Sequence, residues 1–216
     1  MPRPLSITAF HGSGTCIESF DYRFTNKGND QLGSGFYFTS SLEEAISYTS
    51  HRLDDGQLAK LGGEDQPTVH VVSLSFKGAI NAEEELPIST ALATKIILRS
   101  PVLDAALLDW GDVEYEGRQQ VLSRALESYT HKHGDGPTIN RLFGIANDFF
   151  PNHIEAFNRA LYDVLKMDGI IKSIGAATHF VAFFPEQIEI IERIDSETAQ
   201  ARLKRQDAYP RSRPKA

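Results

Sequence analysis

The first residues equipped for chemistry are His11, Gly12 and Ser13, which follow a short apolar run from Leu5 to Phe10. An imidazole beside a glycine and a hydroxyl can accept a hydrogen bond, carry a proton, or fill a core. A second group lies in GSGFYFTSSLEEAISY, where Gly33 and Gly35 precede Phe36, Tyr37 and Phe38. Alternation along a strand puts the two phenylalanines on one face and Tyr37 on the other. Tyr48 comes on the helix that follows, so two phenol rings can flank one slot suited to a flat heteroaromatic ring. Glycine beside such a slot lets a ligand approach the backbone closely.

The elements that must position these groups are legible from periodicity. A strand is expected over Gly35 to Thr39, then a helix in SSLEEAISYTSHRL capped at Ser40 or Ser41. Glu43 and Glu44 favour that helix start through its dipole. Turn signals at 56–67 precede a strand, TVHVVSLSF, at 68–76. Residues 81–168 read as a helical insertion, broken by prolines and by the glycine-rich HGDGP at 133–137. Asp168-Gly169 reads as a turn, after which strands return in GIIKS, THFVAFFP and QIEIIERI. Strands at both ends with helices between them predict an α+β fold. One domain is expected over 1–205, with 206–216 as a basic disordered tail. Regular βαβ alternation and a GxGxxG after a strand are both missing, which excludes a Rossmann arrangement.

Composition narrows the function classes. A formal net charge of −7 over 216 residues argues against a protein that coats nucleic acid. Cys16 is the sole cysteine, so neither an internal disulfide nor a cysteine-based metal cluster is expected. His51, His70, His131, His133 and His153 are scattered, and no metal is expected. No stretch approaches a membrane span or a signal peptide, so a cytoplasmic location is expected. Ser13 has no GxSxG elbow around it, which argues against a hydrolase of that type.

HGS at 11–13 followed by GxGFYFTSSxxEAxxY at 33–48 resembles the first two motifs of one branch of ADP-ribosyltransferases. It is the diphtheria-toxin and poly(ADP-ribose)-polymerase branch, whose H-Y-E triad handles NAD. THFVAFFPEQIEII is similar to the last catalytic strand of that branch and the turn after it. Bacterial and phage polyvalent-protein domains share the DGII element at 168–171 and a helical insertion with an LLDW segment, here 107–110. The resemblance implies an ADP-ribosyltransferase-like split antiparallel β-sheet with a helical insertion. It implies NAD as co-substrate without a metal, and transfer of ADP-ribose to a macromolecule, with a single unit favoured by the histidine that replaces the family's glutamate at 179. A bacterial or phage toxin or effector is implied, acting in the cytoplasm or delivered into a target-cell cytosol.

Carried onto this chain, the resemblance makes His11 a partner of the adenosine-side ribose. The Gly12 backbone would pair with the nicotinamide carboxamide, Ser13 would support the ribose, and Tyr37 and Tyr48 would stack on the nicotinamide. His179 stands where the family has its glutamate, so the implied catalytic set is His11, Tyr37 and His179. A carboxylate there would stabilise an oxocarbenium-like state. A neutral imidazole orients a hydroxyl, whereas an imidazolium opposes the developing charge. Glu186, Glu189, Glu114 and Glu116 are alternative sources of a carboxylate, and His179→Glu is expected to preserve or raise turnover. Acidic side chains of the insertion (Glu83, Glu84, Glu85, Asp109, Asp112, Glu114, Glu116) favour a protein acceptor over nucleic acid. Two other readings stay open: an NAD- or ADP-ribose-binding module without transfer activity, and NAD hydrolysis.

Overall fold

Strands form where β-branched and aromatic residues alternate, and seven of them make one sheet in the order β4-β5-β6-β2-β1-β3-β7. The computed structural model describes residues 5–22, 33–50, 65–82, 89–108, 117, 120–124, 142–144, 146–147 and 150–208. In chain order the strands are β1 (Leu5–Thr15), β2 (Phe36–Thr39), β3 (Asp65–Phe76), β4 (Ala79–Asn81), β5 (Gly169–Ile174), β6 (Ala177–Ala182) and β7 (Ile188–Asp195). The helices whose bounds lie among the described residues are α1 (Leu42–Tyr48), α2 (Thr90–Ile97), α3 (Pro101–Leu108), α4 (Ile154–Leu165) and α5 (Ser196–Ala208), and residues 120–124, 142–144 and 146–147 are helical too. This is the α+β arrangement that the sequence predicts. The sheet is not purely antiparallel, however, because β4 pairs parallel with β5.

Pairing along the sheet is uneven. β1 runs beside β3 from Leu5 to Thr15, and β2 meets β6 at four consecutive positions. Between β1 and β2 the register holds a single pair, Phe10 with Thr39. The sheet is therefore two well-laddered halves joined at one position. By alternation Phe10, Gly12, Tyr37, Thr39, His179 and Val181 share one face, while Ala9, His11, Phe36, Phe38 and Phe180 belong to the other.

The first face carries two helical groups. Helices α2, α3 and α4 bury Ile96, Ile97, Leu103, Leu107, Phe157 and Leu161 against Ile170, Val181 and Phe183 of the β5–β6 side. Thus the helices of 81–168 are no appendage: they supply most of the larger core. On the β1–β3–β7 side, α1 and α5 pack Leu42, Ala45 and Ala199 onto Val69 and Ile194. The second face is filled by Phe36, Phe38, Val72, Leu74, Phe76 and Phe180, with Phe20 and Tyr22 laid over them. Arg193 holds that covering segment by donating to the carbonyls of Ile17 and Glu18.

Three local expectations change. β1 continues past Phe10 to Thr15, so His11 lies inside a strand, with His70 as its cross-strand partner. Residues 79–81 form β4, which the apolar pattern does not announce. The buried carboxylate of Asp168 creates the turn before it, accepting from the backbone N–H groups of Lys77 (2.7 Å) and Gly78 (2.9 Å). Residues 206–208, assigned to the tail from sequence, belong to α5. Asp195 accepts from Thr198 N–H at 2.8 Å, and Arg202 makes two bonds to Glu192. The turn loop at 56–64, Trp110, the glycine-rich 133–137 and the tail at 209–216 lie outside the described residues.

Candidate functional site

A cleft of about 260 Å³ opens where the two half-sheets meet, lined by Phe10, His11, Gly12, Tyr37, Phe38, Thr39, Tyr48 and His179. Five of the six residues singled out from sequence therefore surround one space. Ser13 is the exception: its Oγ accepts from the Thr15 backbone N–H at 3.1 Å, beside the register shift of β1.

His11 reaches the cleft because the β1–β2 ladder stops after Phe10. It starts on the opposite face, in edge-on contact with Phe20 (ring centroids 5.2 Å apart) and tilted against Phe38 (5.7 Å). Its Nδ1 lies 2.8 Å from the Tyr37 carbonyl. A carbonyl only accepts, so Nδ1 carries the proton and Nε2 is left as the acceptor. Burial holds this imidazole below its ordinary range, opposed by the bond to Tyr37. His11 is thus neutral, with a defined tautomer. His70 beside it is pushed down to about 4, first by burial and then by His11. Its Nε2 accepts from the Ile17 N–H at 2.9 Å, a structural role beneath the site.

Tyr37 donates its hydroxyl to the Gly33 carbonyl at 2.6 Å, which fixes the ring against the α2–α4 core. Tyr48 stands at the end of α1 with 45% of its surface exposed. One ring is anchored in the core and the other stands half-exposed at the rim. Neither glycine before Tyr37 opens the backbone to a ligand, contrary to the sequence expectation. A side chain at Gly35 would meet β6, and Gly33 (φ +95°) faces the Phe143 ring. The glycine at the cleft is Gly12, where a Cβ would lie 1.7 Å from the Ala45 carbonyl oxygen. Its bareness lets α1 sit directly on β1.

His179, opposite Thr39 in the β2–β6 ladder, is 16% exposed. Its Nε2 is 3.0 Å from Oε1 of Glu44. The other carboxylate oxygen accepts from Thr39 Oγ1 at 2.5 Å. Sequence reasoning treated Glu44 as a helix-start charge, and Ser41-x-x-Glu44 signals no more than a capping box. In a full capping box the glutamate returns to the backbone N–H of the cap residue. Here Ser41 Oγ does accept from Glu44 N–H at 3.2 Å, but Ser41 N–H is taken by Thr39 Oγ1 at 3.1 Å. The carboxylate is released toward His179. Ser40, the other cap candidate, instead extends the β2–β6 pairing by accepting from Thr178 N–H.

The alternative carboxylates stand elsewhere. Glu186 pairs with Arg159, and Glu189 lies on β7; neither lines the cleft. Glu114, Glu116, His51, His131, His133, Glu83, Glu84, Glu85, Asp109 and Asp112 lie outside the described residues. His153 precedes α4 at its N-terminus. Among the described residues no three His, Cys, Asp or Glu side chains group as metal ligands, and no helix is long and apolar enough to cross a membrane.

No family model matches the chain, and no curated protein matches it. A similar solved structure is the M. tuberculosis MbcT–MbcA toxin–antitoxin complex, at 12% identity and a TM-score of 0.36, covering 92% of this chain and 90% of that one. A likeness at that level has no bearing on the chemistry of the cleft.

Proposed function

We propose that the chain is an NAD-dependent ADP-ribosyltransferase that moves one ADP-ribose unit onto a macromolecular acceptor, a protein rather than a nucleic acid, as a bacterial or phage toxin or effector. The observation that carries this reading is the convergence of His11, Gly12, Tyr37, Tyr48 and His179 on one cleft from β1, β2, α1 and β6. Its volume lies just below the several hundred Å³ usual for drug-sized ligands, so it takes the nicotinamide ring with part of the dinucleotide and leaves the remainder along the rim.

In this reading Tyr37 and Tyr48 flank the positively charged nicotinamide ring, an arrangement favoured by stacking and by the attraction of a cation to an aromatic face. His11 Nε2 accepts from a ribose hydroxyl. The bond from nicotinamide nitrogen to ribose C1′ breaks, and its electron pair leaves with neutral nicotinamide. A nucleophile of the acceptor then bonds to C1′ and gives up its proton. Much of the acceleration comes from holding the reacting atoms in line.

Nicotinamide release from NAD, followed by chromatography, is the deciding measurement, with label from the adenylate half then sought on protein. Release with label retained on protein is expected. Release without retained label replaces transfer by hydrolysis, and NAD binding without release leaves a binding module. No NAD binding by calorimetry sinks the proposal. Tyr37→Ala should weaken NAD binding about tenfold, the scale of one aromatic contact.

A further inference from the structure

We infer that Glu44 is the positioning carboxylate of the site, fixing the tautomer of His179 so that its Nδ1 is the acceptor offered in the cleft. The inference rests on the transferase reading for its kinetic consequence, but the pair itself is a matter of local geometry. An ionised carboxylate only accepts hydrogen bonds, so the 3.0 Å contact from Oε1 to His179 Nε2 requires the proton on Nε2. The neutral ring then has its lone pair on Nδ1. The second oxygen is held by Thr39 Oγ1, whose hydroxyl has one proton to give and spends it on Glu44. Thr39 in turn accepts from Ser41 N–H, so backbone, hydroxyl, carboxylate and imidazole form one chain of bonds.

Each member sits on a different support. Thr39 ends β2, Glu44 lies in the first turn of α1, and His179 is on β6. Thr39 and His179 are direct cross-strand partners, so their spacing is set by the ladder. The position of α1 is set by the close seat of Ala45 on Gly12. The carboxylate is therefore placed by the fold and not by its own flexible arm.

The chemistry answers the difficulty raised by a histidine at 179. An unpaired imidazole that picked up a proton would oppose an oxocarbenium-like state. Paired with Glu44, the neutral ring brings a net negative charge to the cleft wall, and the protonated ring brings none. His179 Nδ1 is then suited to accept from a ribose hydroxyl, or to take the proton released by the acceptor nucleophile as the new bond to C1′ forms.

The experiment uses the full chain with ¹⁵N-labelled histidine. Long-range ¹H–¹⁵N spectra above pH 7.5 report the tautomer of each ring, with His179→Gln to assign the signal. Wild type is expected to show a protonated Nε2 and a bare Nδ1 at His179, and Glu44→Ala to replace that pattern by tautomer averaging. In parallel, Glu44→Ala and Glu44→Gln should lower kcat for nicotinamide release by about 100-fold, the scale of a mis-set base, while the NAD Kd moves less than about threefold. Glu44→Gln keeps the volume at the helix start, and melting curves show which variants remain folded. A helix-start charge alone would shift melting and leave tautomer and kcat where they were.

A protonated Nδ1 in wild type, an unchanged pattern in Glu44→Ala, or unchanged kcat in folded variants overturns the inference. If wild type neither binds NAD nor releases nicotinamide, the transferase reading falls, and the spectra alone decide the Glu44–His179 pair.

Discussion

At the scale of single residues, the packing and chemical readings of His11 are not alternatives. Its ring edge is part of the aromatic cluster with Phe20 and Phe38, its Nδ1 satisfies a strand carbonyl that has lost its ladder partner, and its Nε2 remains an acceptor. His11→Ala should therefore cost about 2–4 kcal/mol of stability, from the cavity and the orphaned carbonyl together, as well as NAD affinity. Paired melting and calorimetry curves would expose an effect confined to one of them. The expectation for His179→Glu also changes. With Glu44 already 3.0 Å from the imidazole, a glutamate there confronts a like charge, and one of the two carboxyls must keep its proton. Single-turnover rates should drop in His179→Glu and recover in the Glu44→Gln/His179→Glu double variant. A fully active single variant would show that the two positions are not coupled.

At the scale of elements, what could be read in advance was whatever carried a strong period or a capping signature. The alternation of TVHVVSLSF and the Ser-Leu-Glu-Glu start of α1 survive in the structure as β3 and a helix capped by Ser41. Elements set by partners distant in sequence were not legible. β4 exists because Asp168, some ninety positions away, takes both N–H groups of the turn before it. α5 has a weak apolar stripe and forms on a cap at Asp195 and a bidentate pair to Glu192. The cleft was legible in its residue types, because two tyrosines at strand-to-helix spacing and a histidine-glycine pair after an apolar run announce themselves. It was not legible in its carboxylate, because Glu44 looks like any first-turn glutamate until β6 brings His179 to it. The seat of α1 on Gly12 gives a prediction at this scale. Gly12→Ala should cost about 1–3 kcal/mol by differential scanning calorimetry, and it should also disturb the Glu44 contact. Melting unchanged from wild type would mean that α1 does not rest on β1 as described.

For the whole molecule, the buried histidine pair sets how stability responds to acid. Burial lowers both His11 and His70 from 6.5, His70 to about 4. The unfolded chain, with ordinary imidazoles, therefore takes up protons first as pH falls. Stability from this source is complete above about pH 6.5 and is lost as pH drops toward 4, by at most about 3 kcal/mol for His70. Melting temperature should hold level from pH 8 to 6.5 and then decline, with a shallower slope in His70→Gln. A slope unaffected by that substitution would place the acid sensitivity elsewhere.

The single register position between β1 and β2 has a consequence for how such a protein can diverge. A continuous ladder transmits twist, so remodelling one end of a sheet is felt at the other. Here the α2–α4 layer rides on one half-sheet and the α1–α5 layer on the other, with little backbone linkage to carry distortion across. Insertions or deletions in the helical layer can accumulate on its own plate while the Phe10–Gly12 wall of β1 and the seat of α1 on it keep their geometry. The joint works as a modular boundary inside one sheet, along which one surface is free to drift and the other is held.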